Sequence, residues 1–333
     1  MTILVTGAAG FIGSNFVRYL MKKTNHNIVS YDALTYAGNL SNIQDLPKDR
    51  HQFIHGDICN GDALSQALQN HNVSTIVHFA AESHVDRSIQ SADPFIQTNI
   101  VGTQRLLDAT KAHGISKFIH VSTDEVYGTL QLSEPPFTEA HHIMPNSPYA
   151  ASKAASDLLV RSYVETYDFP AIITRCSNNY GPYQFPEKLI PLMIHNACNN
   201  IPLPIYGTGE NIRDWVHVED HCEAIHAVLT QGNIGDVYNI GGECELTNID
   251  IVKKIITICG ADDSLMTFVK DRPGHDFRYA MDISKIKNEL GVSPKMSFEK
   301  GLQDTIDWYM SNTKWLNSII NGDYQQYYKE QYK

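Results

Sequence analysis

The chain has 333 residues, with 37 Asp and Glu against 26 Lys and Arg, a formal net charge of −11 at pH 7. Its 42% hydrophobic and 19% charged residues suit a globular protein with a large core, and 21 Gly and 14 Pro exclude collagen-like repeats and extended disorder. So acidic a chain repels polyphosphate, which argues against nucleic acid as a partner but leaves room for a local basic pocket holding one small phosphate ligand. Six cysteines, Cys59, Cys176, Cys198, Cys222, Cys244 and Cys259, form no C-x-x-C pair, and no Cys or His spacing suits a metal. The expectation is free thiols and no bound metal. No basic leader precedes the first apolar strand, and no run approaches the roughly 18 apolar residues of a membrane span, so a soluble cytoplasmic protein is expected.

In chain order, short β-rich runs alternate with helical patterns. Ile3–Val5 reads as a strand, Phe11–Lys22 as a helix, Asn27–Tyr31 and Gln52–His55 as strands, and Asp62–Gln69 as a helix. Thr75–Phe79 is a strand, Thr98–His113 a helix, Lys117–Ser122 a strand, Tyr149–Tyr167 a helix and Ala171–Arg175 a strand. Such alternation predicts an α/β fold, a Rossmann-like doubly wound parallel sheet with helices on both faces. Beyond Arg175 the segment Ser177–Asp214, with prolines at 182, 186, 191, 202 and 204, reads as irregular and binding-competent. Glu219–Leu229 is helical, Val237–Ile240 a strand, and helices near Asn248–Ile258 and Ser297–Met310 flank the loop Asp271–His275. The expected division is a cofactor-binding domain over 1–176, rejoined by 215–241, and a smaller α/β substrate domain over 177–214 and 242–333. The aromatic tail Tyr324–Tyr332 reads as packing or surface.

Gly7, Gly10 and Gly13 follow the first strand and open the first helix, in the order strand, glycine turn, helix that places a pyrophosphate on a helix N-terminus. Gly7 permits the turn, Gly10 close backbone approach and Gly13 helix–strand packing. Asp32, 19 residues past Gly13 at the end of the second strand, is placed to accept the adenosine ribose hydroxyls and to repel a 2′-phosphate. The expected cofactor is therefore NAD rather than NADP. Asp57, after the third strand, is placed near the adenine amino group.

Tyr149 and Lys153 sit four residues apart on one helical face, where an ammonium would lower the phenol pKa and make it a base. Ser122 and Thr123 end the preceding strand at the ligand-binding edge of such sheets. Asp124 and Glu125 follow at once, and two carboxyls held close tend toward separated pKa values, one serving as acid and one as base.

These motifs together resemble the extended short-chain dehydrogenase/reductase family, and within it the nucleotide-sugar 4,6-dehydratases. The adjacent Asp124 and Glu125 in Ser122-Thr-Asp-Glu-Val-Tyr-Gly128 separate those lyases from the sugar 4-epimerases, and the resemblance runs nearly end to end. It implies NAD-dependent dehydration of dTDP-glucose, by oxidation at carbon 4, loss of water across carbons 5 and 6 and hydride return to carbon 6. Tyr149 would act at the 4-hydroxyl with Thr123, Glu125 as base at carbon 5, Asp124 as acid at the 6-hydroxyl, and Lys153 at the nicotinamide ribose. For the cofactor it adds Phe11, Ile12, Ile58, Ala80, Ala81, Ser83, Asn99 and Asn179. For the sugar nucleotide it implies Ser83, His84, Asn178, Glu187, Lys188, Leu189, Pro204, Tyr206 and Asn248, with Arg213, Asp271, Arg272 and His275 around the diphosphate and nucleotide. Arg87 reads as site support, and Asp86 with Arg87 as at most a local ion pair. A homodimer through the helices 98–113 and 149–167 and a place in deoxysugar synthesis, rhamnose included, are further implications. The alternatives are a UDP- or GDP-sugar 4,6-dehydratase, a 4-epimerase, or a non-catalytic NAD sensor.

Overall fold

The computed structural model describes residues 1–320 together with Tyr324, Tyr328, Gln331 and Tyr332. Its strands are β1 (Thr2–Thr6), β2 (Asn27–Asp32), β3 (His51–His55), β4 (Thr75–His78), β5 (Lys117–Thr123), β6 (Ala171–Cys176), β7 (Asn178–Tyr180), β8 (Leu203–Tyr206), β9 (Ile212–His217), β10 (Val237–Ile240), β11 (Glu245–Thr247) and β12 (Met266–Val269). Seven of them form one sheet in the order β10-β6-β5-β4-β1-β2-β3, and each neighbouring pair is parallel. β1 shows why the sheet is covered on both faces. Ile3 and Val5 point into one core with Phe16, Leu20 and Val228, whereas Leu4 points into the other with Leu106, Phe118 and Val160. The strand order reverses between β1 and β4, which opens a crevice at the carboxyl ends of those strands.

The second half of the chain builds a smaller body. It carries a three-stranded sheet β11-β9-β7, a parallel pair β12-β8, and the helices Leu189–Cys198, Asn248–Cys259 and Phe298–Ser311. These pack a separate core that includes Leu192, Ile194, Ile251, Ile255, Leu302 and Ile306. The helix Val218–Gln231 and β10 return to the large sheet. So does a later stretch, because Tyr279, Ala280, Met281, Ile283 and Ile286 lie in the core beside Ile3 and Phe16. The chain therefore crosses between the two bodies twice more than the expected division has it, once into the first core at Tyr279 and once back out before Phe298.

The expected strands and helices of the first half lie within one or two residues of the observed ones. Two expectations need correction. The segment 177–214 is not irregular throughout: it holds β7, β8, the first half of β9 and the Leu189–Cys198 helix. Pro191 falls in that helix's first turn, where an amide N–H has no intrahelical partner, and Pro204 lies on a two-stranded ribbon that tolerates it. The helix expected over Thr98–His113 has a wider π-helical turn at Ile96–Gly102 before its α-helical part Thr103–Ala112. That turn sits where Asn99 bonds inward, as described below.

Candidate active site

The glycine turn forms the floor of a cavity of about 310 Å³ lined by Gly7, Gly10, Phe11, Ile12, Gly13, Asp32, Asp57, Ile58, Ala80, Ala81 and Ser83. Gly7 has a φ of +67°, and a Cβ there would lie 2.6 Å from the Ala80 nitrogen. A Cβ on Gly13 would lie 2.2 Å from the Gly7 carbonyl oxygen, so only glycine lets the helix start so close to the turn. No side chain caps the Phe11–Lys23 helix, which leaves its first amides directed at the cavity. Asp32 accepts hydrogen bonds from the Ala9 and Leu34 amides at 2.8 Å each, and these hold its carboxylate at the rim. Asp57, more exposed, accepts from the Cys59 amide at 2.8 Å.

Across the cavity, β5 delivers Ser122 and Thr123, and a 3₁₀ turn over Asp124–Tyr127 delivers the two carboxyls. Ser147 caps the opposing helix Pro148–Tyr167 by accepting from the Ala150 amide at 3.1 Å, and Pro148 occupies its first position. Tyr149 and Lys153 of that helix, with Cys176, complete the wall. The Asp124 carboxyl is buried; one oxygen accepts from the Thr123 hydroxyl at 3.3 Å, and the other has no partner among the described residues. Burial drives its pKa well up, and the neighbouring Glu125 and Asp214 carboxylates push the same way. Burial raises Glu125 too, but the Arg272, Lys188 and Arg213 cations oppose that rise. Both carboxyls are raised, Asp124 well up toward the protonated form and Glu125 against the opposition of three cations, an unequal pair of the kind acid–base work uses.

Tyr149 departs from the sequence-based expectation. Its phenol pKa is raised well above the ordinary value by burial and by the Glu125, Cys176 and Asp124 charges, while the Thr123 hydrogen bond acts downward. Lys153 donates to the Val121 carbonyl at 2.9 Å, and burial lowers its own pKa. In the ligand-free chain Tyr149 is a neutral phenol.

Residues 4–305 match the GDP-mannose 4,6 dehydratase family. The chain belongs to that family. It is 47% identical to the dTDP-glucose 4,6-dehydratase of Salmonella typhimurium, over 100% of this chain and 99% of the relative. It is 49% identical to that of Neisseria meningitidis serogroup B, over 97% of each. The crystal structure of the dTDP-glucose 4,6-dehydratase of Streptomyces venezuelae, with NAD and TYD bound, superposes with a TM-score of 0.93 at 48% identity, covering 96% of this chain and 100% of that one.

Within this dehydratase-family chain, Asn178, Asn179, Glu187 and Lys188 also line the cavity. Lys188 donates to the Ser83 carbonyl at 2.7 Å, joining the loop after β7 to the loop after β4. Asn99 stands behind the wall rather than on it. Its amide bonds the Glu82 backbone at 2.9 and 3.0 Å and the Ser152 hydroxyl at 2.8 Å, so it braces the cofactor loop against the Tyr149 helix. His84, likewise off the cavity lining, is buried against Glu187 with its pKa well down, a neutral imidazole.

The remaining nucleotide candidates gather in a second cluster that does not line this cavity. Arg272 donates to Asp86 at 3.4 Å, the Tyr206 hydroxyl donates to Asp86 at 3.0 Å, and His275 bonds Asp271 at 2.6 Å. Arg213 donates to the Asp276 carbonyl at 3.0 Å and lies over the Tyr279 ring. Asp86 and Arg87 are therefore not a pair with each other: Arg87 donates instead to Glu187 at 3.4 Å. Leu189 opens the helix behind Lys188, Pro204 is buried in β8 two residues before Tyr206, and the Asn248 amide, at the start of the Asn248–Cys259 helix, donates to the Asn211 carbonyl at 3.0 Å. Of the tail, Tyr324 donates to the Pro186 carbonyl at 2.9 Å and Gln331 to the Tyr206 hydroxyl at 2.6 Å; the rest of Tyr324–Tyr332 lies partly outside the described residues.

Sequence reasoning missed Asp214 and Tyr36. Asp214 lies buried behind Asp124, held by the Gly242 and Cys244 amides at 2.9 and 2.8 Å, and Tyr36 donates to Glu187 at 2.9 Å. No local pattern marks either one; only the fold brings them to the site.

Proposed function

We propose that the chain converts dTDP-glucose to dTDP-4-keto-6-deoxyglucose, the activity carried by the names of its relatives. The observation that carries this reading is the adjacent Asp124–Glu125 pair at the end of β5, lining the same cavity as Tyr149. A 4-epimerase has no step for a second carboxyl; an elimination needs an acid and a base together.

NAD fits the residues present, because the turn at Gly7 and Gly13 leaves open the space a Cβ would fill and Asp32 presents a fixed carboxylate at the rim. When bound, NAD supplies the acceptor for the hydride from sugar carbon 4 and returns it at carbon 6. Tyr149, positioned by Thr123, takes the 4-hydroxyl proton; its raised pKa means that it needs added positive charge in the loaded site to do so near neutral pH. Glu125 then takes the carbon 5 proton, which the 4-ketone acidifies. Asp124 gives its proton to the departing 6-hydroxyl, so one water leaves, and carbon 5 is reprotonated as hydride reaches carbon 6. Arg213, Arg272 and Lys188 give an acidic protein its local basic pocket for the diphosphate.

We further infer the two-domain division described above, a cytoplasmic location, a supply of 4-keto-6-deoxy sugar to routes such as rhamnose synthesis, and a homodimer. No described helix is long and apolar enough to cross a membrane. The dimer reading is supported by Ile96, Leu158 and Tyr167, which are 43%, 54% and 50% exposed on neighbouring helices.

The test is incubation with dTDP-glucose in deuterated water, read by mass and NMR, with UDP- and GDP-glucose in parallel. Loss of water with one deuterium at carbon 5 is expected. Recovery of dTDP-galactose would make the chain an epimerase, and turnover of the UDP or GDP sugar alone would move the base specificity.

A further inference from the structure

Cys198 and Cys259 are 61 residues apart in the chain, yet their sulfurs lie 3.6 Å apart. Each is the last residue of a helix, Leu189–Cys198 and Asn248–Cys259, and those two helices pack on each other in the core of the smaller body. Cys198 is exposed and Cys259 half-buried, so a small solute reaches the pair from one side. Among the described residues, no other two cysteine sulfurs are in hydrogen-bond contact. Cys176 donates to the Ser122 carbonyl at 3.3 Å, Cys59 to the Gln97 carbonyl at 3.4 Å, and Cys222 is fully enclosed.

We propose that Cys198 and Cys259 form a reversible dithiol–disulfide site, oxidised by small peroxides, that staples the two helices of the substrate-binding body. Closing the pair to a disulfide needs the sulfurs to approach from 3.6 Å to about 2.05 Å. The Cys198 sulfur attacks a peroxide oxygen; the O–O bond breaks, one water leaves, and a sulfenic acid remains. The Cys259 sulfur attacks that sulfur, the S–O bond breaks, and a second water leaves. Two thiols lose two electrons and one peroxide is reduced to two waters. A dithiol reductant reverses the step by exchange.

Selectivity has a physical cause. The shared hydrogen bond between the two thiols favours a thiolate on Cys198, whose pKa falls to about 7, whereas burial and nearby carboxylates push Cys59 and Cys244 to about 11 and Cys176 to about 12. The opposite ends of the two helices carry Leu189, next to the cavity-lining Lys188, and Asn248, so the staple joins the ends of the helices away from those residues, and neither cysteine lines the cavity that holds the reacting carboxyls. This inference is independent of which sugar nucleotide the enzyme uses.

The full-length protein is treated with near-stoichiometric hydrogen peroxide, unfolded, alkylated and peptide-mapped. Alkylatable thiols are expected to fall from six to four, with a single 198–259 cross-link that dithiothreitol removes. The oxidised protein is expected to melt at a higher temperature than the reduced one, and C198S and C259S are each expected to abolish both the cross-link and the rise. Six thiols surviving the treatment would overturn the proposal, as would thiol loss without that cross-link or a sulfinic acid on Cys198 alone. The wild-type map decides this even if a serine variant folds poorly.

Discussion

Asp124 and Glu125 are neighbours in sequence, and burial raises both, but their charged neighbours differ: Asp124 backs onto the Asp214 carboxylate with Arg213 opposing, and Glu125 faces Arg272 and Lys188 as well as Arg213. Removing the base while keeping its shape, as in Glu125→Gln, is expected to leave NADH formation on addition of dTDP-glucose but to cut dehydration by about a hundred- to ten-thousandfold. Stopped-flow absorbance and product analysis would read the two steps separately, and normal dehydration would remove Glu125 from its role. Asp124→Asn makes a second prediction through stability. A carboxyl whose folded pKa is raised favours the folded state below its unfolded pKa of about 3.9 and loses that contribution as pH rises through the folded value. The variant should therefore melt with wild type in acid and above it at neutral and alkaline pH, while turning over more slowly; a gap that shrinks with rising pH would contradict the assignment. The acid–base pair itself was legible in the sequence because Asp124 and Glu125 are contiguous with Ser122 and Thr123. What set their difference was not, since Asp214, Arg213 and Arg272 arrive from other strands and loops. In the ligand-free chain the Tyr149 phenol is raised by burial, and Lys153, on the same helical face by its i,i+4 spacing, donates to the Val121 carbonyl, a contact that the spacing alone does not reveal.

At the scale of elements, the turn between β1 and the first helix depends on missing side chains. A single methyl group at Gly13 meets the Gly7 carbonyl at 2.2 Å, so Gly13→Ala must push the helix away from the turn. NAD binding, followed by protein fluorescence quenching or calorimetry, is expected to weaken at least tenfold, whereas an alanine at Gly61, where a Cβ meets nothing within 4 Å, should change nothing. Elements of this kind read well from sequence because their cause is local: two-residue alternation in β1, Ser147 and Pro148 ahead of the Tyr149 helix, an Asp closing β2. The π turn at Ile96–Gly102 did not, because the register shift serves Asn99, whose bonds run to Glu82 and Ser152 far along the chain. The helix at Leu189–Cys198 was hidden by prolines that in fact sit where its backbone can spare a donor.

Over the whole molecule, the exposed apolar residues on the Ile96–Ala112 and Pro148–Tyr167 helices set a prediction about assembly. Leu158→Glu should convert a dimer to a monomer in light scattering, at unchanged secondary structure; a wild type already monomeric at micromolar concentration would refute the surface. The overall class was legible from alternating β and α patterns, but the number of passages between the bodies was not, since the return of Tyr279–Ile286 to the first core depends on tertiary packing alone. Those passages have a topological consequence. The polypeptide is laced through both bodies, so no one peptide bond holds them together. A protease cut within the Asp271–His275 loop is expected to yield two bands on a denaturing gel and one undivided particle on a sizing column. By the same logic the two pieces, made separately, are candidates to recombine into an enzyme, because each already contains threads of the fabric the other completes.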